Sequence, residues 1–77
     1  MYLSLFEELQ NINCKLETLD NENILITANM QDALFRAYHI LKVNIKEYDL
    51  NLKITFIFNK NNTVEALQIT HYIKKGA

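Results

Sequence analysis

Residues 48–59, YDLNLKITFIFN, form the stretch that decides the fold. Apolar side chains occupy every second position in it, which is typical of a β-strand with one buried face. The sequence NKNN follows at 59–62, and asparagine accepts left-handed backbone better than any residue except glycine. The stretch therefore predicts a strand that ends in a tight turn without glycine. The alternating apolar residues are Tyr48, Leu50, Leu52, Ile54, Phe56 and Phe58.

The segment after this turn predicts an antiparallel return strand. Apolar residues recur at Val64, Leu67, Ile69 and Ile73, but their phase slips between the first two. Such a slip indicates a β-bulge, which we expect near Ala66. Because the segment also contains helix-capping signals, a helix over 63–75 remains open as the alternative.

The first predicted helix starts from a capping box. Ser4 and Glu7 have the spacing in which each side chain bonds the other residue's backbone amide, so the helix should begin at Leu5. A narrow apolar stripe then predicts a helix that continues through Leu19 and leaves Cys14 on the polar side. The same spacing fits a short coiled-coil seam as the alternative. The stripe consists of Leu5, Leu9, Ile12, Leu16 and Leu19.

A strand and a second helix should occupy the middle of the chain. Ile24, Ile26 and Ala28 alternate with less apolar residues, which predicts a short strand. Asn29 can then cap a helix, and the apolar residues that follow recur at helical spacing as far as Lys42.

This order of elements, α-β-α-β-β, predicts a small α+β domain that covers residues 1–77. A strand–helix–strand crossover makes the first two strands parallel, and the final hairpin makes the last pair antiparallel. We therefore expect a mixed three-stranded sheet with both helices on one face and the other face bare.

Composition excludes several classes of protein. Proline is absent and Gly76 is the single glycine, so the glycine-rich loops that cradle phosphates in nucleotide-dependent enzymes cannot form. One cysteine excludes an internal disulfide framework, and so a chain of 77 residues must be held by its own core or by a second copy. We expect a homodimer.

The sequence also gives indications of location and source. No apolar run approaches the roughly 20 residues needed to cross a bilayer, and Glu7 and Glu8 occur where a signal peptide would carry basic residues. We therefore expect a cytoplasmic protein that does not contact membranes. Asparagine, isoleucine and lysine are abundant, and because their codons are A/T-rich we expect a low-GC genome, its phages or its mobile elements.

No motif for catalysis is present. His39 and His71 fall on different predicted elements, and Cys14 has no nearby partner, so no metal-ligand spacing exists. Glu7 and Glu8 diverge by about 100° on a helix, which argues against paired carboxylates. A chain this small also leaves little volume for an enclosed pocket. We expect no enzyme activity, no metal and no cofactor.

One aromatic residue interrupts the polar face of the second helix. Phe35 lies one turn before His39, with Lys42 one turn further on. Aromatic anchors with polar rims carry much of the binding energy at protein interfaces. We therefore assign Phe35, His39 and Lys42 to a partner-binding patch, with an ordinary exposed aromatic as the alternative.

The bare sheet face supplies two further candidates. Leu25, Ile57 and Tyr72 should lie on it among polar residues, and we assign them to a self-association surface. In the alternative, Lys53, Tyr72 and Lys74 combine phosphate contacts with base stacking to bind nucleic acid.

These exclusions leave surface recognition as the expected activity. We expect a non-enzymatic protein-binding module, a small intracellular adaptor or inhibitor, encoded by a phage or mobile element and directed at a host protein or defence complex. The alternative is a small nucleic-acid-binding or regulatory protein. A net charge of −1 and a pI near 6.0 favour the first, because proteins that live on nucleic acid usually carry a stronger basic field.

Overall fold

The computed structural model describes residues 2–72 of the chain, the side chain of Tyr2 excepted. The strands form one sheet in the order β1-β2-β4-β3, and every neighbouring pair is antiparallel. The α+β class is therefore confirmed, but the sheet has four strands where three were predicted, and it is antiparallel where it was predicted to be mixed. The elements are α1 (Tyr2–Asn11), β1 (Cys14–Thr18), β2 (Asn23–Ala28), α2 (Gln31–Tyr48), β3 (Leu52–Phe58) and β4 (Val64–His71).

The extra strand comes from the second half of the predicted first helix. Helix α1 ends at Asn11, and Asn13 has a left-handed backbone with φ of 66°, which breaks the helix before β1 begins. Leu16 fits both patterns, because it lies four residues after Ile12 and two residues after Cys14. The helix through Leu19 and the coiled-coil seam are therefore wrong. The predicted start at Leu5 is wrong as well, because α1 already includes Tyr2 and Ser4 lies within it.

The turn between β1 and β2 depends on Asp20. Its Oδ1 atom accepts hydrogen bonds from the backbone amides of Glu22 and Asn23 at 2.8 and 2.9 Å. The side-chain amide of Asn23 donates to both Asp20 carboxylate oxygens at 3.0 Å. The hydrogen bond from the Glu22 amide and the bonds from Asn23 hold the pKa of Asp20 below its ordinary value.

Strand β4 lies between β2 and β3, which were predicted to be direct neighbours. Each of these two strands is antiparallel to β4, so they run in the same direction, as the crossover rule requires, without pairing to each other. The insertion places the most buried strand at the centre: Ala66, Leu67 and Ile69 of β4 are all buried. It also makes every ladder antiparallel, with hydrogen bonds perpendicular to the strands.

The β3–β4 hairpin has the predicted features. The pairing Ile57 with Ala66 is followed by Phe58 with Val64, so Glu65 is the extra residue of a bulge beside Ala66. In the turn, the Asn59 Oδ1 atom accepts a hydrogen bond from the backbone amide of Thr63 at 3.2 Å. The helix considered for 63–75 is excluded over Val64–His71, and the positions after 72 lie outside the described residues.

Helix α2 differs from its prediction at both ends. The residue before its first turn is Met30, which makes no side-chain cap, so Asn29 does not have the predicted role. The helix continues past Lys42 to Tyr48 and ends where Asp49 adopts a left-handed backbone with φ of 51°. Tyr48, which was assigned to the strand, is its last residue because the helical apolar spacing continues from Leu41.

The core lies between the two helices and one face of the sheet. Helix α1 packs against β1 and α2, and α2 packs against β4, β2 and β1. Both helices pack against the strand residues of one face. The other face of the sheet is therefore not covered by a helix. The buried cluster comprises Leu5, Leu9, Cys14, Ile26, Leu34, Ala37, Leu41, Leu50, Leu67 and Ile69.

The corrected end of α1 predicts a difference between two leucines of one sequence stripe. Leu9 is fully buried, whereas Leu19 lies after β1 and is 47 % exposed. We expect Leu9→Ala to lower the free energy of unfolding by about 2–5 kcal/mol. Leu19→Ala should change it by less than about 0.5 kcal/mol. Urea unfolding followed by circular dichroism measures both, and equal losses would contradict this chain trace.

The turn at Asp20 predicts a pH-dependent loss of stability. Because its folded-state pKa is lowered, ionised Asp20 stabilises the fold above its ordinary pKa of 3.8, and this stabilisation is lost as the pH falls through the lowered folded value. Asp20→Ala should therefore lower the melting temperature at pH 7 and have little effect at about pH 2. Asp32→Ala, in the first turn of α2, serves as the control for loss of a carboxylate. A melting-temperature difference from wild type that is the same at both pH values would contradict the role of Asp20.

Candidate functional site

The three predicted partner-binding residues lie together on the exposed side of α2. Phe35, His39 and Lys42 follow each other at spacings of four and three residues, which puts them on one side in successive turns. All three are exposed, and Phe35 is 47 % accessible. The Lys42 Nζ atom lies 5.9 Å from the ring centroid of Tyr38, within cation–π range.

Sequence reasoning missed one neighbour of this group. Val43 is 45 % exposed and lies four residues after His39, on the adjacent turn. Its spacing alone could have revealed it. We define the α2 patch as Phe35, His39, Lys42 and Val43.

The opposite side of α2 shows that the α2 patch is not required for packing. Leu34, Ala37 and Leu41 are the buried residues of the helix. Tyr38 contacts Phe56 of β3, with ring centroids 4.8 Å apart. Helix α2 therefore completes its contacts with the sheet through side chains that are not part of the patch.

The outer face of the sheet carries the predicted self-association residues, but it does not bring them into one cluster. Leu25 pairs with Gln68 of β4, which in turn pairs with Thr55. Ile57 lies in the next row beside Ala66, two strands away from Leu25. The face is thus a mixture of single apolar residues and polar ones, which is ordinary for a protein surface.

Tyr72 lies at the far end of the same face. Its backbone amide donates to the carbonyl of Asn51 at 3.0 Å, so it continues the β4 ladder by one residue. Between Tyr72 and Leu25 lies a polar network in which Asn23 Oδ1 accepts from Gln68 Nε2 at 2.9 Å and from Thr70 Oγ1 at 2.7 Å. Polar groups therefore separate Tyr72 from the other two residues.

Of the three residues assigned to nucleic-acid binding in the alternative, Lys53 and Tyr72 are among the described residues. Lys53 pairs with Thr70, next to Tyr72, so the two described members are neighbours on the outer face. Lys74 lies outside the described residues. On β1 the same face presents both Lys15 and Glu17, and the charge across it is therefore mixed.

An open groove of about 490 Å³ lies at the end of the sheet, between α1 and the β1–β2 turn. This groove could not be predicted from the sequence, because its lining residues come from segments that are far apart in the chain. The floor is apolar and the rim carries carboxylates, but that of Asp20 is engaged by the turn amides. Its lining residues are Phe6, Thr18, Asp20, Asn21, Glu22, Ile24, Leu52, Ile69 and His71.

Cys14 is buried, contrary to the prediction that it lies on the polar side of a helix. It begins β1 and faces the core, because β1 is a strand and its alternate residues point inward. Its Sγ atom lies 3.7 Å from the carbonyl oxygen of Ala33. Burial raises the pKa of the Cys14 thiol, which keeps it in the unreactive protonated form.

The described residues hold no cluster of three His, Cys, Asp or Glu side chains arranged to bind a metal ion. His39 lies on α2, and His71 ends β4 with its backbone amide bonded to the carbonyl of Glu22 at 2.7 Å. Over residues 2–72, neither helix has the length and apolar content to cross a lipid bilayer.

Comparisons of the chain with protein-family models, with curated proteins and with solved structures find no match. The surfaces described above therefore carry the functional argument.

The environment of Cys14 predicts slow thiol chemistry. We expect the folded protein to react with a thiol-specific disulfide reagent at pH 8 at least about tenfold more slowly than the urea-unfolded chain, because the thiol is buried and its pKa is raised. Absorbance of the released thiolate measures both rates. Equal rates would show that Cys14 is accessible and that β1 does not face the core.

Proposed function

We propose that this protein is a non-enzymatic protein-binding module that meets its partner through the α2 patch. The observation that carries the proposal is the exposure of Phe35 in the second turn of a helix whose opposite side holds the buried residues Leu34, Ala37 and Leu41. An aromatic side chain at such a position contributes little to the fold, and it is available to fill a pocket on a partner.

The α2 patch has the form of a small binding ridge. From Phe35 to Lys42 the helix rises about 10 Å, so the patch fits the width of a shallow groove. His39 and Lys42 supply a polar rim beside the Phe35 ring, and Val43 adds apolar area at one end. Interface anchors of this kind are typically aromatic residues surrounded by polar groups that exclude water.

Charges around the α2 patch indicate the chemistry of the partner. Arg36 and Lys46 are exposed on the same helix as Lys42, against Asp32 and Glu47. The surroundings of Phe35 are thus slightly basic. We infer a protein partner with an apolar pocket and an acidic rim, because complementary charge speeds association and rejects wrong partners.

The small size of the chain and this single compact patch suit an adaptor or inhibitor. We extend the proposal to a phage or mobile element as the source and to a host protein or defence complex as the target, supported by the abundance of residues with A/T-rich codons. Binding to nucleic acid through Lys53 and Tyr72 is the second candidate, supported by their proximity on the outer face.

The proposal predicts that one aromatic residue matters and another does not. Phe35→Ala should abolish capture of a protein partner from nuclease-treated lysate, because the ring is the anchor of the interface. Tyr48→Ala is the matched control, since Tyr48 is 49 % exposed at the end of the same helix. Mass spectrometry of the captured proteins compares both variants with the wild type, and thermal unfolding verifies that both remain folded.

Two outcomes would contradict the assignment. Retention of the partner by Phe35→Ala would exclude the α2 patch, and unfolding of that variant would place Phe35 in the core. Capture by the wild type from untreated lysate but not from nuclease-treated lysate, together with a steep fall of affinity as salt rises, would favour the nucleic-acid candidate instead.

A further inference from the structure

The two edge strands of the sheet differ in how well they are protected. Strand β1 is short, and its outward residues Lys15 and Glu17 are both charged. Strand β3 spans Leu52–Phe58 and has one charged residue, Lys53. Long apolar edges without charges, proline or a cover are the edges that pair with another strand.

Hydrogen bonds at the two ends of β3 fix which backbone groups face its free edge. The carbonyl of Asn51 accepts from Tyr72, and the amide of Asn59 donates to Thr63 across the hairpin. Backbone groups along a strand alternate in direction, so the odd-numbered residues of β3 bond to β4 and the even-numbered ones point away. Within residues 2–72 no strand pairs with this outward edge, which comprises Leu52, Ile54, Phe56 and Phe58.

We propose that β3 pairs with β3 of a second copy of this chain, antiparallel and about a two-fold axis at Thr55. The four outward residues are centred on Thr55, so this register uses all of them. Leu52 would pair with Phe58 of the partner subunit, and Ile54 with Phe56 of the partner subunit. Each pair would exchange both of its N–H···O=C bonds. A register shifted by two residues in either direction would leave outward backbone groups at the strand ends without a hydrogen-bond partner.

The inner-facing side chains of β3 favour this occupant. Leu52, Ile54 and Phe56 are only half-buried, and Phe58 is 55 % exposed, because the core is centred on β2 and β4. Pairing sets each aliphatic side chain opposite an aromatic one of the partner subunit. Aromatic and β-branched or aliphatic pairs across strands are among the favourable ones, and they would cover area that one copy leaves exposed.

The outer-facing side chains of β3 are also compatible with the two-fold axis. Thr55 would face Thr55 of the partner subunit, and Lys53 would face Ile57 of the partner subunit. The two Lys53 residues would be offset by four positions, about 13 Å along the strands, so like charges do not meet. In this register the strand therefore pairs compatible side chains on both faces and keeps its like charges apart.

This mode of association differs from the one predicted on the outer face. Contact of two outer faces would bury Ile57 against the second copy, whereas edge pairing would leave that face open and would make it continuous over both copies. The α2 patch is also left open, since its residues lie on the exposed side of α2, opposite the side that packs against the sheet. The inference thus goes beyond the proposed partner binding and does not depend on it.

A disulfide test examines the position of the axis. In Thr55→Cys the two new thiols would belong to a non-hydrogen-bonded pair with Cα atoms about 4.5 Å apart, within disulfide range. We expect rapid covalent dimer formation under mild oxidation on a non-reducing gel. Lys53→Cys is the matched control, since its two copies would be too far apart, and wild type controls for Cys14. Equal or slower crosslinking of Thr55→Cys than of Lys53→Cys would overturn the register.

A charge test examines the dimer without crosslinking. Thr55 is exposed, so Thr55→Lys and Thr55→Glu should remain folded while setting like charges opposite each other across the axis. Each variant should raise the dimer dissociation constant about fivefold in sedimentation, and an equimolar mixture should recover the wild-type value. Thr18→Lys, exposed on the other edge strand, should leave the constant unchanged. A monomeric wild type at all concentrations, or no recovery on mixing, would overturn the proposal.

Ile57→Asp separates the two modes of association. In edge pairing the new carboxylate would lie opposite Lys53 of the partner subunit, so the dimer should persist. Dissociation to monomer would overturn edge pairing and support contact through the outer faces. Persistence of the dimer together with insensitivity to the Thr55 variants would also overturn it, because the copies would then meet at another surface.

Discussion

The structure depends on the burial of one side of β4 between two strands and α2. Leu67 pairs with Ile26 on one side and with Phe56 on the other, and Ile69 has the same position relative to Ile24 and Ile54. In a small domain with one cysteine, apolar burial of this kind supplies most of the favourable free energy of folding. Because β4 is the last strand of residues 2–72, the sheet is complete only when the β3–β4 hairpin has placed β4 beside β2. Contacts between distant parts of the sequence thus hold the first hairpin to the rest of the domain.

This one-sided arrangement determines where recognition can take place. The apolar side chains of the helices pack against the inner-facing residues of the strands, so the exposed side of α2 and the outer face of the sheet are left for other contacts. These two surfaces differ in character. The α2 patch gathers an aromatic ring and its polar neighbours on successive turns, whereas the outer face spreads Leu25, Ile57 and Tyr72 among threonine and amide side chains. The concentration of apolar area with a polar rim favours the α2 patch as the protein-binding surface.

The two edge strands of the sheet offer backbone groups, as well as side chains, for contacts with another molecule. Strand β1 carries charges of both signs, and β3 presents alternate backbone groups beside half-buried apolar side chains. A domain with one cysteine would gain stability from covering such an edge, and in the proposed dimer a second copy of the same strand would cover it with matched pairs. Two α2 patches on one dimer would then raise the effective affinity for a partner that has repeated sites.

The local sequence predicted the elements best where its pattern of apolar residues favoured one type of secondary structure. The period of two predicted a strand over 48–59, of which Leu52–Phe58 is a strand, and the asparagine turn after it and the slip beside Ala66 predicted the hairpin and its bulge. The exposed position of Phe35 also followed from its place on a helix. By contrast, Leu16 satisfied helical and strand spacing at once, and only the left-handed turn at Asn13 and the space beside β2 decided for a strand. The place of β4 between β2 and β3 was likewise beyond local pattern, because a hairpin can add its second strand on either side. Tertiary packing made that choice, since it placed β4, with its buried residues Ala66, Leu67 and Ile69, at the centre and thereby left β3 at the edge.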